Sequence, residues 1–237
     1  MMLVGAQLRS FHRRWGDTMT RKNGVFWAFF VLGAVLLTSL VARLLPQTEG
    51  VRMALLFWQQ SLFILGGLFG ARRGVFRSPN RKEATYGVVG GLGLYVVNIV
   101  LGVLSVWIAL RFLDPDLVQN LILRERAGAN VLLTSNEPLI VLGTMLLLTV
   151  GAPLGEELFF RGLLVDLWRE TLGARAAILL GAVLFAFLHF YVLQFIPVLI
   201  SGIVLGILFV RFENVVVPIF AHSVVNSLVL VIWLWAL

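Results

Sequence analysis

The stretch Pro153-Leu154-Gly155-Glu156-Glu157-Leu158-Phe159-Phe160-Arg161-Gly162 sets two adjacent carboxylates and an arginine inside one of the most apolar runs of the chain. An ionisable side chain within a membrane segment costs about 2.5–3.5 kcal/mol on insertion scales, so it marks a functional site by default. On a helix, Glu157 and Arg161 lie four residues apart, on one face and in the favourable order; the spacing predicts that they neutralise each other. Glu156 points about 100° away from them and has no partner at that spacing. A desolvated carboxylate without a cation titrates higher than usual, which is how a general base working near neutral pH is made. Glu156 is therefore the first candidate for chemistry, with Glu157 and Arg161 as its structural support.

Composition supports a membrane setting for this stretch. Of 237 residues, 59% are hydrophobic and only 13% charged, against about 25% charged in a soluble domain. The net charge of +7 does not point to nucleic acid, because the positive residues sit in short segments between apolar runs, where they orient membrane spans. Cysteine is absent, which excludes disulfides, thiolate metal sites and cysteine nucleophiles. The whole chain, 1–237, reads as a single membrane domain: a basic lead over 1–24, N-terminal spans over 25–137 and motif-bearing spans over 138–237.

The fold expected is all-α, a polytopic membrane helical bundle of about seven transmembrane segments with a polar cavity in its C-terminal half. The lead carries Val4, Leu8, Phe11 and Trp15 at helical spacing among arginines, the pattern of an interfacial amphipathic helix, with His12 in its basic patch. Spans follow at 25–42, at 53–71 with Gln59 and Gln60 facing other helices, and at 84–110, where Gly87, Gly90, Gly91, Gly93 and Gly102 suit close helix packing. The first span reads as retained, since no small-residue cleavage site follows its lead. A polar connection over 111–137 leaves room for a short interfacial helix. The apolar run 138–154 leads into the Glu156 segment, where Pro153 is expected to kink or end the helix. Spans at 176–196 with His189, at 198–210 and at 215–237 with His222 and Asn226 complete the set. A cytoplasmic N-terminus puts fourteen of nineteen Lys and Arg inside, the bias that sets orientation. Localisation in a cell membrane follows. Short loops, compact length and the lack of a targeting presequence read as prokaryotic.

Intramembrane polar side chains gather in the last third: Glu156, Glu157, Arg161, His189, His222 and Asn226. His222 and Asn226 are four residues apart on one helical face, and Phe185 stands in the same relation to His189. Each has a duller reading: a lone His or Asn serves as interhelical glue, and a Glu–Arg pair as structure. Together, an unpaired Glu and two His on three apolar segments describe a polar active cavity. The set suits hydrolysis. A Glu with a His holds a water and takes its proton, while a second His and an Asn amide donate to the oxyanion on an attacked carbonyl. A metal variant is open as well, because Glu156, His189 and His222 match a catalytic divalent metal such as zinc with a vacant position.

These residues resemble the CAAX protease and bacteriocin-processing (CPBP, or Abi) family of intramembrane proteases, whose pattern is Glu-Glu-x-x-x-Arg, then Phe-x-x-x-His, then His-x-x-x-Asn on successive membrane segments. Here the counterparts are Glu156-Glu157 with Arg161, Phe185 with His189, and His222 with Asn226, in that order. The resemblance covers 156–226 and implies a helical membrane fold with a cavity opening to the cytosol and peptide-bond hydrolysis. By it, Glu156 and His189 activate water, His222 and Asn226 stabilise the oxyanion, and Glu157, Arg161 and Phe185 support them. It leaves the enzyme glutamate-type or metal-dependent. It implies a membrane-associated or lipidated protein or peptide as substrate, for CAAX-type C-terminal processing or peptide maturation, with the lipid bilayer as the other partner and no nucleic acid. The competing reading is a non-catalytic membrane protein, either a proton-coupled transporter or a bacteriocin-immunity or scaffold protein.

Overall fold

A computed structural model describes residues 23–235; the basic lead with Val4, Leu8, Phe11, His12 and Trp15 lies outside the described residues. The described chain is helical and holds no strand. Among the described residues, six helices are long and apolar enough to cross a membrane: α1 (Asn23–Leu44), α2 (Glu49–Gly70), α3 (Arg81–Phe112), α5 (Pro138–Leu172), α7 (Phe195–Phe212) and α8 (Val216–Trp235). Between them lie α4 (Pro115–Leu133) and the shorter apolar α6 (Ala174–Leu188). The protein is a multi-pass membrane helical bundle.

Local chemistry starts these helices where the sequence places capping residues. Thr48 caps α2 by accepting from the Val51 N–H at 3.3 Å. Asn80 and Glu83 exchange hydrogen bonds as a capping box at the head of α3, satisfying two N–H groups that a helix start leaves open. The Glu83 carboxylate also pairs with Arg77, whose guanidinium donates to the Phe212 carbonyl at 3.3 Å. The same cap thus ties the 71–80 loop to the end of α7. Asp114 caps α4 by accepting from Asp116 N at 2.9 Å, with Pro115 in the first turn. The polar 111–137 connection therefore holds a 19-residue helix, longer than the short interfacial one for which the sequence leaves room. Trp233 of α8 donates to Asn130 of α4 at 2.8 Å.

Small residues let the helices that carry the site approach closely. In α3, a Cβ on Gly91 would lie 2.6 Å from the Ala221 carbonyl of α8. Gly87 and Gly90 of α3 also face neighbours, whereas Gly93 meets nothing within 4 Å and Gly102 meets only Gln194. A Cβ on Gly67 of α2 would lie 2.8 Å from the Leu158 backbone of α5. The apolar core packs around Phe63, Phe159, Phe160 and Phe185, rings in edge or stacked contact at centroid distances of 5.0–5.7 Å. Outward side chains such as Phe29, Val103 and Ile232 are exposed in the bundle, as bilayer-facing positions are.

One sequence expectation is narrowed and one corrected. Of the two outcomes expected at Pro153, a kink or an end, the helix does not end there: α5 runs through it for 35 residues. It does so by widening into a π-helical stretch over Leu147–Gly151 just before the proline, and again over Glu157–Val165. The proline's missing N–H is thereby absorbed inside a continuous helix. Nor does a span run from 176 to 196. Helix α6 stops at Leu188, His189 is its C-cap, and Phe190 takes a left-handed φ of 55°. A continuous helix would carry Pro197 in its interior and lose a hydrogen bond; restarting at Phe195 puts Pro197 in a first turn, where no N–H is required. His189 thus sits at a helix end in the 189–194 turn, and the next span is the longer Phe195–Phe212.

Candidate active site

Three segments and one neighbour bring the polar residues together. Helix α5 supplies Glu156, Glu157 and Arg161, the end of α6 supplies Phe185 and His189, α8 supplies His222 and Asn226, and α2 adds Gln60. The ion pair foreseen from the four-residue spacing is present: Arg161 Nη1 donates to Glu157 Oε1 at 2.8 Å. Both side chains are essentially sealed, at 1% and 0% exposure. Burying two ions costs several kcal/mol each and is offset only by good geometry and further hydrogen bonds. Arg161 has them. Its Nη2 donates to the Gly202 carbonyl at 3.1 Å, and its guanidinium lies over the Phe185 ring, 4.5 Å from the centroid.

Glu157 has a second partner that the spacing did not foresee. His222 Nδ1 lies 2.9 Å from the same Oε1. A carboxylate paired with Arg161 can only accept, so Nδ1 carries the proton and donates. The other ring nitrogen, Nε2, then presents a lone pair 4.0 Å from Glu156 Oε2. His189 is oriented in a parallel way: its Nδ1 donates to the Phe185 carbonyl at 2.7 Å, which leaves Nε2 as the open, basic nitrogen. Phe185 also walls the His189 ring at 4.5 Å between centroids. One residue therefore holds both the Arg161 guanidinium and the His189 ring.

Glu156 is half-buried and, among the described residues, has no guanidinium beside it, since Arg161 is taken up by Glu157 and Gly202. Its contacts are the Gln60 amide, which donates to Oε1 at 3.3 Å, and the more distant His222 ring. Asn226 stands apart from this group: its Nδ2 donates to the Leu148 carbonyl at 2.8 Å. The cause is local. The Ala152 N–H reaches back five residues to Leu147, and Pro153, the donor that Leu148 would meet at the same spacing, has no N–H. Asn226 supplies the missing bond across the helix interface.

A metal set would require three donors converging on one point. Among the described residues no three His, Asp or Glu side chains do so. Glu156 Oε2 and His222 Nε2 stand 4.0 Å apart, wider than two donors sharing one small ion at about 2.0 Å each, although the Nδ1 hydrogen bonds leave both Nε2 atoms free, as in metal-ligating imidazoles. As placed, Glu156, His189 and His222 do not converge on one coordination sphere.

Sequence reasoning reached Gln60 only as one of two amides facing other helices. Tyr191, whose ring lies 5.6 Å from that of His189, gave no signal, because it falls inside a stretch that reads as continuous span.

The fold and this cluster define a polytopic membrane protein that gathers carboxylates, imidazoles and the Gln60 amide from separate helices, with Asn226 standing apart. A family model described as Rce1-like, type II CAAX prenyl endopeptidase, matches residues 138–228. That segment carries all three motifs, and over it the chain is similar to the CAAX protease family of intramembrane endopeptidases. No curated protein and no solved structure matches the chain.

Proposed function

We propose that the protein hydrolyses a peptide bond of a membrane-associated or lipidated protein or peptide, using a water activated by Glu156. The observation that carries this reading is the 4.0 Å separation of Glu156 Oε2 and His222 Nε2. It is too long for a direct hydrogen bond and suits one water at about 2.8 Å from each. Glu156 takes the proton as the water oxygen attacks the carbonyl carbon. The carbonyl π electrons move to oxygen, giving a tetrahedral oxyanion. Collapse re-forms the carbonyl, breaks the C–N bond and returns the proton to the leaving amine. His222, its far side fixed by Glu157, orients the water. His189, with Nε2 open, relays the proton at the leaving nitrogen. This differs from the family resemblance, which pairs Glu156 with His189, because the imidazole nitrogen closest to Glu156 is that of His222. Asn226 retains one N–H for the oxyanion. The 138–228 match supports a CAAX-type substrate, and the reading extends to unprenylated membrane peptides. The bias of Lys and Arg supports a cytoplasmic N-terminus, which places the Glu156 segment and the 71–80 loop toward the cytosol.

The test is cleavage of a panel of lipidated and unlipidated peptides in vesicles, wild type beside Glu156→Gln, each with and without a strong chelator. The substitution keeps shape and removes the base. A loss of at least about 10²-fold in the folded variant, with chelator without effect on the wild type, is the expected outcome. Undiminished cleavage by folded Glu156→Gln would overturn the assignment, and loss on chelation restored by zinc would make the enzyme metal-dependent.

A further inference from the structure

The turn between α6 and α7 is held from a distance. Helix α7 has no local cap: its N-cap residue, Gln194, makes no side-chain bond to the first turn. The N–H groups of the turn just before the helix are instead met by Glu125, from the middle of α4. One carboxylate oxygen accepts from Val192 N at 2.6 Å and Leu193 N at 2.7 Å, and the other from Gln194 N at 3.3 Å. Three N–H groups converging on one carboxylate fix the backbone immediately after Tyr191, as a nest fixes an anion. Phe190, before it, is in the left-handed region at φ 55°, a conformation that a bulky residue keeps only when its surroundings impose it. Tyr191 is thus fixed from both sides.

This geometry sets a phenol beside the site. The Tyr191 ring lies 5.6 Å from that of His189, and its hydroxyl has no hydrogen-bond partner among the described residues. Burial first, and then the charges of Glu156 and Glu125, push the phenol above its usual titration range, so the group stays a donor at working pH. The tetrahedral oxyanion proposed above has only one side-chain donor, the remaining N–H of Asn226. Asn226 already spends one N–H on Leu148, while oxyanion sites use preorganised donors aimed at the developing charge.

We propose that Tyr191 is a further catalytic residue, donating its O–H to the oxyanion, and that Glu125 is the positioning residue that holds the His189–Gln194 turn so that it can. The proposal rests on the protease reading. The full-length protein in vesicles is assayed on the same peptide panel as wild type, Glu156→Gln, Tyr191→Phe, Glu125→Ala and Glu125→Gln. Tyr191→Phe is expected to lower kcat by about 10²–10³-fold, the loss typical of one oxyanion donor, with KM within about twofold and unchanged thermal stability. Glu125→Ala is expected to lower kcat in the same direction, and Glu125→Gln, which keeps one acceptor oxygen, to recover part of it. A kcat for Tyr191→Phe equal to that of the wild type overturns the proposal while leaving the protease reading intact. Cleavage by no protein overturns the protease reading and the oxyanion role together. The geometry is then judged by ultraviolet titration, with the Tyr191 signal obtained by subtracting the Tyr191→Phe spectrum. The phenol is expected to titrate above free tyrosine and to fall in Glu156→Gln. A phenol that titrates as free tyrosine and ignores Glu156→Gln overturns the placement.

Discussion

His222 Nδ1 and Glu157 Oε1 stand 2.9 Å apart, and the same oxygen accepts from Arg161 at 2.8 Å. The second glutamate of the pair is therefore a junction. It neutralises a sealed guanidinium and at the same time fixes which nitrogen of His222 faces Glu156. Removing its charge strands Arg161 in the core, where an uncompensated buried ion costs about 3–5 kcal/mol. Glu157→Gln is expected to destabilise the protein by that order, measured by thermal unfolding in detergent. Glu157→Leu combined with Arg161→Met removes both charges and is expected to cost less than the single change. A double variant as unstable as the sum of the singles would refute the pairing energetics.

A second dependence links Asn226 to Pro153 through the Leu148 carbonyl. If the amide is there to replace a donor that the proline lacks, its value depends on the proline. Asn226→Leu leaves a part-buried carbonyl unpaired and is expected to cost about 1–3 kcal/mol. In a Pro153→Ala background the restored N–H can serve the helix, and the cost of Asn226→Leu is expected to shrink by about 1 kcal/mol or more, a coupling typical of groups sharing one network. The double-mutant cycle by unfolding reads this directly; strict additivity would sever Asn226 from Pro153.

Much of this site was legible in the sequence, for reasons that also show where reading stops. Glu157 and Arg161 were paired correctly because helix geometry alone brings positions four apart together, and that survives the π-helical distortion. The six spans follow from apolar length. The end of α6 at Leu188 was missed because Phe190, Tyr191 and Val192 are as apolar as a span, and the signal, Pro197, lies beyond the break. The His222–Glu157 bond joins residues 65 positions apart, and Glu125 meets Val192 across 67. Neither spacing has a local period, so only tertiary packing reveals them.

Helix α2 carries Gln60 to Glu156, and its approach to α5 depends on Gly67. A Cβ there would lie 2.6 Å from Leu158 Cβ and 2.8 Å from the Leu158 carbonyl, with backbone that cannot step aside. Gly67→Ala is expected to cost about 1–3 kcal/mol as an overpacking change and to lower any Glu156-dependent cleavage by displacing the amide. Gly93→Ala, where nothing lies within 4 Å, is the control and is expected to be neutral or slightly stabilising. Equal unfolding temperatures for the two variants would show that α2 and α5 are not in the contact described.

The absence of cysteine makes the orientation directly testable. Loops rich in Lys and Arg stay on the cytoplasmic side, and the 71–80 loop with the adjacent head of α3 holds Arg72, Arg73, Arg77, Arg81 and Lys82. Three spans separate the N-terminus from the connection between α4 and α5, so that connection should lie opposite the basic lead. Ser78 and Asn136 are both exposed, one in each connection. In intact cells, Asn136→Cys is expected to react with a membrane-impermeant maleimide, and Ser78→Cys only after the membrane is opened. The reverse pattern would invert the topology and move the polar site to the outer half of the membrane. A substrate delivered from the cytosol could then not reach it, whereas one exported to the outer face could.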